Sequence, residues 1–173
     1  GAGTAIIRAV AQGYEGNIKK FYRIHLLWSL IPTTALAIAA LYYYTHDNVV
    51  LSTGLIVGAV LFPLFDSGDV YSAYFAGKKL FKALSLAQFL KTLTLATAVL
   101  TTAYFTREAL PMAIAYIVTN TIVTTSLYMY TMYRYKPNDM TDTETVRLTK
   151  HGTFINTLAQ ISDRIDNLLI FQF

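Results

Sequence analysis

The chain has 173 residues, of which 54% are hydrophobic and only 14% are charged, whereas a soluble domain carries about 25% charged residues. So few charges cannot cover a water-facing surface, which argues against a soluble enzyme and a disordered tail. The length allows one domain at most. The net charge is +4, and the basic residues lie between long apolar blocks. This placement of basic residues is explained better by contact with a bilayer than by binding to nucleic acid.

Apolar blocks predict the elements in chain order. Residues 5–24 resemble a helix end, a turn broken by Gly13 and Gly16, and a basic interfacial entry. Four transmembrane helices follow at about 26–45, 49–75, 84–105 and 109–133, because about 20 apolar residues in a helix cross one bilayer core. A polar linker at 134–147 and a fifth, charge-bearing apolar segment from about residue 154 complete the chain. The predicted fold is therefore all-α, a polytopic integral membrane helical bundle.

The ends of the sequence favour a piece of a longer protein. The chain begins at Gly1 without an initiator Met or a signal-like segment, and it ends at Phe173 inside an apolar run. We therefore expect the protein to act as part of a longer polypeptide.

Basic residues alternate between the connections of the predicted spans. Eleven of the fourteen Lys and Arg residues lie in three places: Arg8, Lys19, Lys20 and Arg23; Lys78, Lys79 and Lys82; and Arg134, Lys136, Arg147 and Lys150. The positive-inside rule then predicts that the loops near 8–23, 78–82 and 134–150 face the cytoplasm. The connections at His46–Asp47 and Arg107–Glu108 are predicted to face outward.

Polar side chains recur along the fifth apolar segment. Asn156, Gln160, Asp163 and Asn167 are spaced four, three and four residues apart and share one helix face, with Asp166 beside it. A charge facing lipid costs several kcal/mol, so this face must meet protein or water. We expect a helix that lines an aqueous, substrate-bearing cavity. The alternative is a cytoplasmic helix leaving the membrane.

Three further charges lie in or beside the earlier spans. Lys91, near 13 Å deep in its helix, either lines a polar cavity or extends its ammonium back to the interface. Asp66 and Asp69 are three residues apart and follow Pro63, which should bend or break the helix. They either couple transport to a proton or cation, or they mark a solvated inner helix end, which is the favoured interpretation.

Gly54 and Gly58 form a common close-packing pair.

The sequence offers no catalytic arrangement. His25, His46 and His151 are scattered, and the chain lacks HExxH, GxSxG and P-loop motifs. The absence of cysteine excludes disulfides and thiolate metal sites. We therefore expect neither an enzyme nor a cofactor or metal requirement.

Three stretches resemble the polysaccharide flippases of the multidrug/oligosaccharidyl-lipid/polysaccharide exporter superfamily, the Wzx-like O-antigen flippase group. GAGTAIIRAVAQGYEG resembles the turn from their second helix to their third. PLFDSGDVYSAYFAGKKLFK resembles the end of their fourth helix, and FINTLAQISDRIDNLLIFQF resembles the start of their seventh. The resemblance covers nearly the whole chain and corresponds to helices three to seven of that fold, with residues 148–173 starting the second lobe.

The resemblance implies a transporter of two helical lobes around a central cavity in the cytoplasmic membrane. It implies alternating access that moves an undecaprenyl-pyrophosphate-linked oligosaccharide outward, coupled to H+ or Na+, in contact with membrane lipids and without nucleic acid. By position, Arg8, Lys91 and Arg164 would face the pyrophosphate, with Asp163 or Asp166 for coupling or for orienting Arg164. The alternatives are a multidrug or cation antiporter or a lipid II flippase of the same fold, a non-transporting scaffold subunit and, more distantly, a membrane-embedded transferase.

Overall fold

The computed structural model describes residues 2–145 and 147. Within that part the chain forms seven α-helices and no strand, and a helical turn at 143–145 follows them. The helices are α1 (Ala2–Ala11), α2 (Asn17–Trp28), α3 (Leu30–Thr45), α4 (Val49–Ser67), α5 (Val70–Gly77), α6 (Phe81–Thr106) and α7 (Ala109–Tyr135). The predicted all-α class is confirmed.

Four helical stretches are long and apolar enough to cross a membrane: Asn17–Thr45, Val49–Gly77, Phe81–Thr106 and Ala109–Tyr135. The first begins nine residues before the predicted block at 26–45, because the basic residues that precede that block belong to the same helical stretch. Large apolar side chains such as Val60, Leu100 and Ile122 point away from the bundle and are more than half exposed. Outward apolar faces of this kind are typical of helices that are solvated by lipid.

The helices pack as antiparallel hairpins around α4. α3 pairs with α4, α6 pairs with α7, and α4 also packs against α2 and α7. The Ser52 hydroxyl, fully buried, donates to the Ala40 carbonyl at 2.9 Å and joins α4 to α3. Short turns connect the hairpins, and Asn48 caps α4 by accepting a hydrogen bond from the Leu51 amide at 3.1 Å.

Two of the spanning stretches are interrupted. α2 gives way to α3 at Ser29, and α4 gives way to α5 at Gly68–Asp69. Pro63 was predicted to bend or break its helix, but α4 continues through it to Ser67. The Ser67 hydroxyl donates to the Pro63 carbonyl at 2.6 Å, so the last turn of α4 gains a hydrogen bond beside the proline.

The tightest hydrophobic core lies at one end of the bundle. There α1 packs on α5, with contributions from α2, α6 and the end of α7. Its buried members are Ile6, Val10, Ile18, Phe21, Val70, Tyr71, Ala73, Tyr74, Phe75 and Ala87. The aromatic rings of Tyr74 and Phe75 both pack edge-on to Tyr135, so this core fixes α1 and α5 against the last turn of α7.

Substituting Gly77 with alanine is expected to destabilise this core. An added Cβ would lie 2.7 Å from Val10 Cβ and 2.8 Å from the Ile7 carbonyl oxygen, and overpacking of this kind costs about 1–3 kcal/mol. Gly58→Ala is the matched control, because a Cβ there meets nothing within 4 Å. Thermal unfolding of the full-length protein in detergent should show a lowered midpoint for Gly77→Ala only; equal midpoints would contradict the α1–α5 packing.

Candidate functional site

An ion pair joins the residue that precedes α5 to the middle of α6. Lys91 Nζ donates to Asp69 Oδ1 at 2.8 Å, and the Lys91 side chain is 14% exposed while that of Asp69 is 55% exposed. Asp69 lies eight residues before the end of α5, and Lys91 lies ten residues after the start of α6. At 1.5 Å per residue, both are about 12–15 Å from the turn that joins the two helices.

The position of both charges within membrane-length helical stretches makes the pair chemically unusual. A lone charge in the apolar part of a membrane is costly, and pairing with an opposite charge lowers that cost. The sequence placed Asp69 at a solvated helix end or in a coupling role, and Lys91 in a cavity or at the interface. The structure joins the two residues directly, an arrangement that none of those interpretations included.

A polar face of α7 meets the break between α4 and α5. Asn120, Thr121 and Thr124 are buried there, and the Thr124 hydroxyl donates to the Asn120 carbonyl at 2.8 Å. Thr124 also lies against Gly68, where an added Cβ would come within 2.7 Å of the threonine Oγ1. The hydroxyl hydrogen bonds stay within α7, so this face offers polar surface to the interrupted helix without forming a ligand cluster.

Arg8 lines a separate cleft at the α1 end of the bundle. The cleft has a volume of about 700 Å³, and its lining residues are Thr4, Ala5, Arg8, Gln12, Tyr14, Asp142, Glu144 and Thr145. Arg8 is exposed and forms no ion pair with any of the described residues. The structure therefore does not join Arg8 to the Lys91–Asp69 pair.

Glu15 forms a buried polar hub that the sequence analysis missed. The residue is 7% exposed, and its carboxylate contacts Lys78 Nζ and accepts a hydrogen bond from the Asn138 amide at 3.2 Å. The Asn138 side chain in turn accepts a hydrogen bond from the Glu15 backbone amide at 3.2 Å and donates one to the Gly13 carbonyl at 2.9 Å. We call Glu15, Lys78 and Asn138 the Glu15 hub.

The segment after α7, residues 136–145, runs along the turn between α1 and α2, and we call it the strap. The Gly16 amide donates to the Met140 carbonyl at 2.9 Å, and the Asp142 amide donates to Asn17 Oδ1 at 3.1 Å. An added Cβ at Gly16 would lie 2.7 Å from the Asp139 carbonyl carbon, so glycine permits this close approach of two backbones.

Exposed charges add to the strap. Lys19 Nζ donates to Asp139 Oδ1 at 2.7 Å, and Lys20 Nζ donates to the Thr141 hydroxyl at 2.9 Å. The hydrogen bond from Lys19, together with its charge, holds the pKa of Asp139 below its usual value. A hydrogen bond from the Thr145 hydroxyl likewise lowers the pKa of Asp142. Asp139 and Asp142 therefore remain ionised to a lower pH than an unperturbed carboxyl group does.

All of the polar positions predicted on the fifth segment lie outside the described residues. These are Asn156, Gln160, Asp163, Arg164, Asp166 and Asn167, and the side chain of Asp66 is outside the described part as well. Their assignments stay predictions. Within residues 2–145, no group of three or more His, Cys, Asp or Glu side chains could hold a metal ion.

The comparisons with known proteins give one family. No curated protein and no solved structure matches the chain. A family model described as "Polysaccharide biosynthesis protein" matches residues 1–173, the whole chain. That coverage, together with the bundle of membrane-length helices, supports a membrane role in the making of polysaccharide. The chain belongs to the polysaccharide biosynthesis protein family.

Proposed function

We propose that the protein is part of a transporter that moves lipid-linked oligosaccharide across the cytoplasmic membrane by alternating access. The observation that carries the proposal is an ion pair, Lys91–Asp69, inside a bundle of four membrane-length helices in a polysaccharide biosynthesis chain. Charged side chains within membrane helices are rare and mark substrate or ion pathways by default.

The chemistry of the substrate suits the charges of this chain. A saccharide carried on undecaprenyl pyrophosphate has a strongly anionic linkage that must pass a membrane of low dielectric constant. The ammonium of Lys91 could neutralise part of that charge once Asp69 releases it. Arg8, exposed at the separate cleft beside α1, is a second candidate cation by the family resemblance, and Arg164 is a third.

The pair also offers a route to coupling. Asp69 binds Lys91 only while it is ionised, so a proton or Na+ at Asp69 would free the ammonium for the substrate. Asp66 and Asp163 are the other coupling candidates from the sequence. In this proposal the loops near 8–23, 78–82 and 134–150 face the cytoplasm, where the lipid-linked unit would enter.

Deleting the full-length gene in its native host tests this function. We expect surface polysaccharide to be lost and the lipid-linked oligosaccharide to accumulate in the inner leaflet, with recovery on complementation by the wild-type gene. Normal surface polysaccharide in the deletion strain would overturn the flippase proposal. A changed resistance to drugs or cations in that strain would then identify an antiporter of the same fold, and an unchanged one would favour a scaffold subunit.

A further inference from the structure

The strap is attached at the buried residues Glu15, Gly16 and Asn17 and also through exposed contacts of Lys19 and Lys20. The Glu15 side chain is 10% exposed, whereas Lys19 and Asp139 are 46% and 89% exposed. Exposed ion pairs contribute little to stability, but a buried carboxylate depends on its cation and its hydrogen-bond donors. Among the attachments of the strap, the Glu15 hub is the one that contains a buried charge, so its loss is expected to weaken the strap more than the loss of an exposed contact does.

The strap begins with a strained residue. Lys136 ends α7 with a φ of 45° and a ψ of 63°, in the left-handed region, and Pro137 follows it. This conformation is unfavourable for a residue with a side chain, and the following proline disfavours helical dihedrals further. A left-handed residue also ends α6, at Arg107, so this conformation marks the end of α7 and is not by itself imposed by the strap.

The hub joins three connections between helices at one end of the bundle. Glu15 precedes α2, Lys78 follows α5, and Asn138 follows α7. Three connections at one end of the bundle thus meet at a single carboxylate. When the hub is intact, residues 136–145 are held against the turn between α1 and α2, and when the hub opens, this segment is released from that turn.

We propose that the strap is a releasable latch, that the Glu15 hub is its lock, and that the latch must open in each transport cycle. The physical basis is a segment whose buried charged contact depends on its partners and whose other side-chain ion pair is exposed, so loss of the hub favours local detachment of the strap. The connection to transport rests on the proposed function, whereas the lock itself does not.

Hydrogen exchange tests the lock without any transport assay. In the full-length protein, Glu15→Gln should make the amides of residues 138–142 exchange about tenfold faster, because the charge-assisted contact with Lys78 is lost. Lys20→Gln is the matched control, since it removes one exposed contact of the same strap, and we expect a change of less than about twofold. Equal exchange in wild type and Glu15→Gln would overturn the proposal whatever transport shows.

Reversible cross-linking tests the requirement for opening. The chain contains no cysteine, so the substitutions Lys19→Cys and Asp139→Cys place two thiols at a contact of the strap. In a full-length protein without any other cysteine, a short thiol-cleavable reagent can bridge these two thiols. In liposomes with lipid-linked oligosaccharide extracted from the deletion strain, bridging should abolish translocation and reduction should restore it. The reagent should leave the single variant Lys19→Cys active. Full activity of the bridged protein would overturn the latch, and a deletion strain that accumulates no lipid-linked oligosaccharide would instead refute the proposed function.

Discussion

Replacing Asp69 with asparagine is expected to be among the most damaging single changes in the membrane-embedded part of the protein. The substitution leaves the Lys91 ammonium, whose side chain is only 14% exposed, without its anion. An unpaired lysine at the centre of a membrane helix costs about 3 kcal/mol. We expect a strongly reduced level of folded protein in the membrane and loss of surface polysaccharide.

The reciprocal change should be milder, and the double variant separates folding from function. Lys91→Met leaves Asp69, which is 55% exposed and can be hydrated or protonated. Asp69→Asn with Lys91→Met removes both charges and should restore the amount of folded protein, because two neutral groups need no compensation. If the pair serves transport, surface polysaccharide stays absent in that double variant at normal protein level.

Immunoblots of membrane fractions, read beside surface polysaccharide, measure these outcomes. Lys82→Met is the matched control, because Lys82 is an exposed cation on the same helix, and it should leave both quantities near wild type. An Asp69→Asn variant with normal protein and normal polysaccharide would show that the ion pair has neither a structural nor a transport role.

Apolar blocks alone predict most of the fold, because a bilayer demands long uninterrupted helices. The four spanning stretches contain the four predicted blocks, and the all-α class follows from them. The interruption of α4 was misplaced. The sequence points to Pro63, yet the helix breaks at Gly68–Asp69, where a glycine without a Cβ allows α7 to approach and Thr124 fills the space.

The Lys91–Asp69 pair could have been found from the sequence by one further step. Its members are 22 residues apart, so no helical periodicity relates them. They are, however, almost equally far from the basic turn between their helices, and an antiparallel hairpin brings such positions side by side. The Glu15 hub is different, since Glu15 and Asn138 are 123 residues apart and only the tertiary arrangement of three connections reveals the contact.

Replacing Lys78 with methionine is expected to produce the largest effect at the strap. The substitution removes the cation that pairs with the Glu15 carboxylate, whose side chain is 10% exposed, and leaves that carboxylate with hydrogen bonds alone. A buried carboxylate that loses its partner destabilises the closed arrangement by about 3 kcal/mol, the lower end of the usual range of about 3–5 kcal/mol, because Lys78 is itself partly exposed. Detachment of the strap hydrates Glu15, so the equilibrium shifts toward the open latch.

Substitutions of Glu15 and of Lys78 should therefore change hydrogen exchange to different extents. Glu15→Gln leaves Lys78 without its anion, but the Lys78 side chain is 38% exposed and can turn to water. Lys78→Met leaves the Glu15 carboxylate without its cation, and that carboxylate cannot reach water while the strap is closed. Hydrogen exchange at residues 138–142 should therefore be faster in Lys78→Met than in Glu15→Gln. Combining both substitutions should bring exchange below that of Lys78→Met alone, because no uncompensated charge remains. Lys79→Met, an exposed neighbour in the same turn, is the control. Additive effects in the double variant would mean that Glu15 and Lys78 act independently and that the strap is held by its surface contacts.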